Sequence, residues 1–305
     1  MDITSKVTLN NGVEMPWLGL GVFRLKEDGE VEKAVKTALQ LGYRSIDTAA
    51  AYHNEAGVAR GIKESGISRT EIFITTKVKN DQQGYKSAMD AFYQSLEYLQ
   101  TDYIDLYLIH WPQGKESLHT WRAMEELYEK GLIRAIGVSN FKVHHLEYLM
   151  TACKVIPAVN QVEFHPKHSQ PGLLEFCKKH QIQLEAWSPL IAGEAFKIPV
   201  IKKLASKYGK SPAQVVLRWD LQKGVVTIPK SGNPERIAAN AQIFDFELEK
   251  ADMDKLDALN INNPIVSYRD KTTHLLHMIF THTFNRQFIR SLWQAGYKKF
   301  RSAFS

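Results

Sequence analysis

The sequence predicts an α/β domain in which eight parallel strands close into a barrel and each strand is followed by at least one helix. Eight short apolar runs alternate with segments of helical period. The runs are apolar enough to be covered on both faces, which is typical of a parallel sheet. No stretch rich in Pro, Gly and Ser divides the chain. We therefore predict a (β/α)8 barrel, the TIM-barrel architecture, over residues 1–262.

An open doubly wound sheet is the main alternative for eight β/α units. Such a sheet holds a dinucleotide at a G-x-G-x-x-G turn after an early strand. The corresponding stretch, "GLGVFR", has two glycines and then stops. The pattern favours the closed barrel.

The predicted elements follow in a regular order. "VTLNNGVEMP" indicates a hairpin in which Asn11-Gly12 suits a type I′ turn. Segments such as "VEKAVKTALQLG" and "PAQVVLRWDLQKG" have the spacing of helices that cover a sheet. The runs predicted as strands are "WLGLGV", "YRSIDTA", "EIFITTKV", "YIDLYLIHW", "IRAIGVSN", "PAVNQVEF", "IQLEAWSPL" and "VVTIPK".

Composition limits the kind of protein. The chain of 305 residues is 44% apolar and 24% charged, as expected of a globular protein, and no apolar run reaches the roughly 20 residues of a membrane span. The start lacks a basic segment followed by an apolar core, so we expect a cytoplasmic protein. The net charge of +6 lies after Asp270, and residues 1–270 hold 33 basic and 33 acidic residues. This balance does not indicate a nucleic-acid surface on the barrel.

Polar residues end seven successive predicted strands. In barrel enzymes the chemistry lies at the carboxyl ends of the strands, so these side chains are expected to converge on one mouth. They are Asp47, Lys77, His110, Ser139 with Asn140, Gln161, Trp187 with Ser188, and Lys230.

A phenol, Tyr52, follows Asp47 by five residues. A carboxylate beside it would make it a poorer acid, but an ammonium from Lys77 between the two would stabilise the phenolate by about 4 kcal/mol at 4 Å in a dielectric near 20. Tyr52 would then be a general acid of lowered pKa, and a neutral His110 would orient the oxygen that receives the proton. No H-x-x-x-H, C-x-x-C or paired-carboxylate spacing indicates a metal site.

"IPKSGNPERIAAN" has the pattern of an anion site. Asn233 and Pro234 suit the N-cap and first residue of a helix. Lys230, Ser231 and Arg236 surround that helix start, which suits a phosphate dianion. The alternative is a solvated basic helix start.

In order and spacing, "GYRSIDTAAAYHNE", "ITTKV", "DLYLIHWP", "GVSNF", "NQVEFHP", "WSPL" and "IPKSGNPERIAAN" resemble blocks of the aldo-keto reductase family, of its bacterial type. The resemblance runs from the hairpin to about residue 262. It implies a (β/α)8 barrel and reversible hydride transfer between a nicotinamide cofactor and a carbonyl. It further implies a catalytic tetrad of Asp47, Tyr52, Lys77 and His110, with Tyr52 as the proton donor.

The same resemblance implies NADPH as the cofactor. Ser139, Asn140 and Gln161 would hold the nicotinamide carboxamide, and Trp187 would stack on the ring. The remaining cofactor contacts implied are Ser188 and Leu190, then Lys230, Ser231 and Arg236 on the 2′-phosphate, and Asn240 near the adenine.

The substrate side departs from the family pattern. The implied contacts are Phe23, Lys79, His110 and Trp111. Lys79 stands where the family often has Trp, and a cation there would favour acidic carbonyl substrates. A solvated loop lysine is the other interpretation.

Residues 263–305 do not resemble the family and form a predicted basic, amphipathic extension. Apolar side chains recur at a four-residue interval, which indicates a helix. Residues 274–305 would pack on the barrel or a second subunit, lie on an anionic membrane, or have no function. The repeating positions are Leu276, Phe280, Phe284, Phe288 and Leu292.

The sequence therefore predicts NADPH-dependent reduction of aldehydes and ketones, above all small or reactive carbonyls such as the dicarbonyl methylglyoxal. The alternative is a cofactor-sensing regulatory barrel whose tail engages a membrane or partner. We expect a small-molecule carbonyl substrate, no nucleic acid, and a monomer or weak dimer.

Overall fold

The computed structural model describes residues 1–266. The chain begins with the predicted hairpin, made of antiparallel strands β1 (Lys6–Thr8) and β2 (Glu14–Pro16). The type I′ prediction for its turn is wrong, because that turn needs a positive φ at both central residues and only Gly12 has one, at 83°. The Asn11 side chain instead donates to Arg134 O at 2.9 Å, which ties the turn to the barrel.

Eight parallel strands follow, paired in sequence order as predicted. The first and last also meet, through the parallel bridges Leu18–Thr227 and Gly21–Lys230, so the sheet closes into a barrel and the open-sheet alternative is wrong. The strands are β3 (Leu20–Gly21), β4 (Ser45–Asp47), β5 (Phe73–Val78), β6 (Ile104–Ile109), β7 (Ile133–Ser139), β8 (Val159–Glu163), β9 (Gln183–Trp187) and β10 (Val226–Thr227).

The closing seam depends on a close approach at Gly21. Its N–H donates to Pro229 O at 3.3 Å, and a Cβ added to it would lie 2.9 Å from Ile228 O. Any side chain at this position would therefore push the two strands apart. The same residue pairs with Asp47 of the neighbouring strand, so the seam lies beside the carboxylate of the predicted site.

Helices cover the outside of the barrel. Their apolar side chains belong to one large buried cluster, as Val31, Val35 and Leu39 of α1 do. Short 3-10 turns occupy Ala50–Tyr52, Arg69–Glu71, Asn80–Gln82 and Ile191–Lys197. The helices are α1 (Glu30–Gln40), α2 (Glu55–Ser65), α3 (Tyr85–Leu99), α4 (Lys115–Glu129), α5 (Val143–Met150), α6 (Pro171–Lys179), α7 (Pro199–Tyr208), α8 (Pro212–Gln222), α9 (Pro234–Ala241) and α10 (Lys250–Asp257).

The hairpin closes the amino-terminal end of the barrel. Leu9 and Met15 are buried in one apolar cluster with side chains of the strands, among them Phe73, Leu106 and Val226. Because this end is filled, the opposite, carboxyl end is the one that remains for a site.

Residues beyond 266, and with them the amphipathic segment 274–305 and the contacts predicted for it, lie outside the described residues. Among residues 1–266, no helix has the length and apolar character of a membrane span.

Candidate active site

The predicted polar side chains meet at the carboxyl end of the barrel. Asp47 and Ser139 are the last residues of β4 and β7, and Trp187 is the last residue of β9. His110 follows β6 directly. The remaining members are Lys77 within β5, Asn140 after β7, Gln161 within β8, and Lys230, which forms a bridge with Gly21 after β10.

An ion pair lies at the centre of this cluster. Lys77 Nζ donates to both carboxylate oxygens of Asp47 at 2.8 Å and to Thr48 O at 2.7 Å. The Lys77 side chain is wholly buried and that of Asp47 is 3% exposed. Burial lowers the pKa of Lys77, but Asp47 and the other acidic groups around it, Tyr52 and Glu185, together outweigh this effect, and the net shift is upward. Lys77 therefore stays charged inside the barrel.

Tyr52 ends the 3-10 turn that follows β4 and is half-buried. The Lys77 Nζ lies over its ring, 5.1 Å from the ring centre. The predicted contact between the ammonium and the phenol is present.

The pKa of Tyr52 does not follow the prediction. Burial raises it, the charge of Lys77 opposes that rise, and the charge of Asp47 adds to it. The net shift is upward, so the expected net fall is wrong for the protein without ligands, because desolvation of a phenolate outweighs one nearby cation. Tyr52 consequently keeps its proton at neutral pH.

Aromatic side chains surround the phenol. The ring of Phe23 lies 4.9 Å from that of Tyr52, and the ring of His110 lies 5.7 Å away in an edge-on arrangement. Trp111 is half-buried, and its carbonyl oxygen accepts from Gln83 Nε2 at 2.7 Å. The rings of Phe23 and His110 thus lie against the phenol ring.

Lys79 reaches the same rim. Its Nζ lies 3.4 Å from Nε2 of His53, the residue after Tyr52. His53 is exposed, whereas Lys79 is half-buried. The structure thus places a cation beside the residue that follows Tyr52.

A second polar group lies across the mouth. Asn140 Nδ2 donates to His110 O at 2.9 Å, and Trp187 Nε1 donates to Asn140 Oδ1 at 2.9 Å. Ser139 Oγ donates to Gln161 O at 2.9 Å. These hydrogen bonds fix the Trp187 indole and tie β6, β7, β8 and β9 together at the mouth.

Gln161 has a neighbour that the sequence analysis missed. Its Nε2 donates to Asp47 Oδ2 at 2.7 Å and to Glu185 Oε2 at 2.8 Å. Glu185 is fully buried in β9. The sequence contains an indication of this position. Glu185 lies two residues before Trp187, so the two side chains share the face of the strand that points into the barrel.

The helix start after β10 has the predicted caps. Asn233 Oδ1 accepts from Arg236 N at 2.9 Å, and Pro234 is the first residue of α9. Ser231 Oγ accepts from Asn233 N at 3.1 Å. Because side chains already satisfy these two N–H groups, the backbone is less open to an anion than expected, and the exposed Lys230 and Arg236 are the positively charged groups available to bind one.

The remaining predicted cofactor contacts are Ser188, Leu190 and Asn240. Leu190 and Ser188 are half-buried after β9, and Asn240 is buried on α9. A carboxylate that the sequence analysis did not anticipate, Glu30, lies beside Gly232, where an added Cβ would be 2.7 Å from its Oε1. Glu30 is far from Gly232 in the sequence, so no sequence pattern indicated this contact.

Within residues 1–266, no three side chains of the metal-ligating types gather in a way that could hold an ion. His165 is buried, and its Nε2 lies 2.9 Å from Glu163 Oε1, as suits a structural histidine.

Comparison with known proteins agrees with this geometry. Residues 17–261 match the model of the Aldo/keto reductase family. The chain is 60% identical over 254 residues to the "Glyoxal reductase" of Bacillus subtilis (strain 168), which covers 83% of this chain and 92% of the relative.

Solved structures give the same result. An aldo-keto reductase enzyme from a Medee basin deep-sea metagenome library superposes with a TM-score of 0.85 at 48% identity, covering 87% of this chain and 98% of that one. An aldo-keto reductase of Bombyx mori in complex with NADP superposes with a TM-score of 0.81 at 34% identity, covering 88% and 96%. The chain therefore belongs to the aldo/keto reductase family and is an oxidoreductase that acts on carbonyl groups and the corresponding alcohols.

Proposed function

We propose that this protein reduces small aldehydes and ketones to alcohols with NADPH, and that Tyr52 donates the proton. One observation carries the proposal: the Nζ of Lys77, a buried ammonium held by Asp47, lies 5.1 Å from the ring centre of a phenol at the mouth of the barrel. The Tyr52 hydroxyl keeps its proton at neutral pH, and the Lys77 ammonium is placed to stabilise the phenolate that forms when the proton leaves.

The proton transfer follows from the charges. As the carbonyl oxygen gains negative charge, the Tyr52 hydroxyl gives it a proton and the phenolate that forms is stabilised by Lys77. Asp47 keeps the ammonium in place by accepting two of its hydrogen bonds. Substrate and cofactor, when they fill the mouth, exclude water and strengthen these interactions.

His110 is proposed to orient the substrate. Its ring lies edge-on to that of Tyr52 with 5.7 Å between the ring centres, and an imidazole N–H would donate to the same carbonyl oxygen as the phenol. Phe23 and Trp111 would line the apolar part of the pocket, which suits small carbonyl compounds.

NADPH supplies the hydride when bound, and the residues present fit it. Both amide hydrogens of Gln161 are taken by carboxyl groups, so its Oε1 remains to accept from the carboxamide. The Trp187 indole, fixed by Asn140, offers a flat face to the nicotinamide. The remaining contacts proposed are Ser139 and Asn140 to the carboxamide, Ser188 and Leu190 along the cofactor, Lys230, Ser231 and Arg236 to the 2′-phosphate, and Asn240 to the adenine.

Reactive dicarbonyls such as methylglyoxal are the proposed substrates. The 60% identical relative is named "Glyoxal reductase", and glyoxal is the smallest compound of this kind. The substrate class thus rests on the printed name of a relative and on the aromatic ring of Phe23 beside Tyr52.

Tyr52→Phe tests the assignment. We expect steady-state oxidation of NADPH with methylglyoxal to fall by about 100-fold or more, because the general acid is lost, while the Kd for NADPH is unchanged. Tyr93→Phe, at an exposed tyrosine of α3, is the matched control and should be as active as the wild type. Full activity in Tyr52→Phe would refute the proton-donor role.

A further inference from the structure

Glu185 is a fully buried acid whose role the proposed function leaves open. It lies in β9, in register with Gln161 of β8 on one side and Val226 of β10 on the other. Its Oε2 accepts from Gln161, but no described residue hydrogen-bonds to its Oε1. One donor is therefore the only hydrogen-bonding support that this carboxyl group has within residues 1–266.

The charged and titratable groups that face Glu185 are Asp47 of β4, Lys77 of β5 and Tyr52 of the turn after β4. Lys77 directs its hydrogen bonds to Asp47 and Thr48 and acts on Glu185 through its charge. Two carboxylates with one ammonium would leave a net negative charge in the barrel, which is costly. Burial above all, and then the charge of Asp47, raises the pKa of Glu185 to about 8.

We propose, building on the function proposed above, that Glu185 is a positioning residue for the reduction. As a neutral carboxylic acid it accepts one amide hydrogen of Gln161, fixes that side chain between two strands, and leaves Asp47 alone to balance Lys77. As a carboxylate it disturbs both arrangements and slows turnover.

The slowing has two physical causes. A negative charge at Glu185 raises the pKa of Tyr52, which makes the phenol a weaker acid in the proton transfer. It also draws Gln161 and the Lys77 ammonium away from Asp47, whose oxygens then compete with those of Glu185 for the same donors. Both effects set in as the pH rises and are absent below the pKa of Glu185.

Glu185→Gln separates these effects from a structural role, because it keeps the shape and an acceptor but cannot ionise. We expect its kcat for methylglyoxal at saturating NADPH to be within about threefold of the wild type near pH 6, where Glu185 is already neutral. Between about pH 6 and pH 9.5 the wild type should lose roughly tenfold more kcat than the variant. Parallel pH profiles would overturn the proposal, and so would a uniform loss of kcat at all pH values.

Asp220→Asn is the matched control. Asp220 is also a fully buried acid with a raised pKa, but its partner is Thr227. Its replacement should leave the pH profile of kcat unchanged, and a change equal to that of Glu185→Gln would show that any buried acid has the effect.

A measurement without turnover tests the protonation state even if Glu185→Gln does not fold. Infrared difference spectra of the Asp220→Asn protein, which lacks the other fully buried acid named above, should show the loss of a protonated-carboxyl carbonyl band between about pH 6 and pH 9.5. Its absence would overturn the neutral state of Glu185. Its presence in a protein that reduces no carbonyl would instead refute the proposed function and leave the protonation intact.

Discussion

Lys77 and Asp47 form a two-oxygen ion pair, at 2.8 Å to each oxygen, in a place where neither side chain is more than 3% exposed. Removing both charges from water costs about as much as their attraction returns, so such a pair adds little to the stability of the fold. The arrangement is better explained by what it does to Tyr52, since the same ammonium contacts that phenol.

A double-mutant cycle tests this balance. Lys77→Met leaves Asp47 buried without its cation, and we expect it to lower the free energy of unfolding by about 3–5 kcal/mol. The double variant Lys77→Met with Asp47→Asn should lose less than Lys77→Met alone, although both lack turnover. Urea denaturation at neutral pH measures both.

Lys36→Met provides the contrast, because Lys36 pairs with Glu64 at 3.5 Å on the surface, where the side chains are 40% and 54% exposed. We expect its free energy of unfolding to change by less than about 1 kcal/mol. The contrary result would be additivity at the buried pair. If the loss of unfolding free energy in Lys77→Met with Asp47→Asn equals the sum of the losses in Lys77→Met and in Asp47→Asn, the two buried charges do not depend on each other.

The phosphate site predicts a preference between cofactors. Lys230→Ala with Arg236→Ala removes the two exposed cations at the start of α9, so we expect the Kd for NADPH to rise by roughly 10- to 100-fold. The Kd for NADH, which has no 2′-phosphate, should change by less than about threefold. Fluorescence titration with both cofactors gives the two constants.

Lys203→Ala, at an exposed lysine of α7, controls for a general loss of positive charge and should alter neither constant. Equal losses for NADPH and NADH in the double variant would place the 2′-phosphate elsewhere. Glu30, beside Gly232, is then the group to examine, since its charge opposes a phosphate there.

Much of the barrel could be predicted because its strands are short and apolar on both faces. "EIFITTKV" and "YIDLYLIHW" contain β5 and β6. The polar residue one position before the end of each run, Lys77 or His110, marks the mouth. Asp47, Lys77 and His110 were found in this way, and Tyr52 through its spacing from Asp47. Family resemblance added the roles, which no strand pattern contains.

The interior of the site could not be predicted, because it depends on distances across the barrel. Glu185 and Asp47 lie far apart in sequence, yet they share one amide of Gln161. The net direction of the pKa shift of Tyr52 depends on how deeply the ring is desolvated, which is a property of packing. Likewise, the turn at Gly12 is set by the contact of Asn11 with Arg134 and not by the Asn-Gly pair itself.

Lys79 predicts a preference among substrates. If its ammonium binds the anionic end of a substrate, Lys79→Met should raise the KM for 4-carboxybenzaldehyde by roughly two- to fivefold, as befits a partly exposed pair. Benzaldehyde, which lacks the carboxylate, is the matched substrate and should keep its KM. The same change in KM for both aldehydes would indicate a solvated lysine.

The seam of the barrel gives the last prediction, which connects the fold to the site. In Gly21→Ala the new Cβ would lie 2.9 Å from Ile228 O, a backbone atom that can move only if β3 and β10 separate. We expect the free energy of unfolding to fall by about 1–3 kcal/mol. Turnover should fall as well, because Gly21 pairs with Asp47 and Val22 N donates to Asp47 O at 3.0 Å, so a shift of β3 moves the partner of Lys77.

Gly172→Ala is the control. Gly172 lies in the first turn of α6 with no atom within 4 Å of an added Cβ, so stability and kcat should be unchanged or slightly higher. Urea denaturation and kcat, measured on both variants, test the effect on stability and the effect on turnover. A Gly21→Ala protein that loses stability but keeps full kcat would show that the seam does not position Asp47.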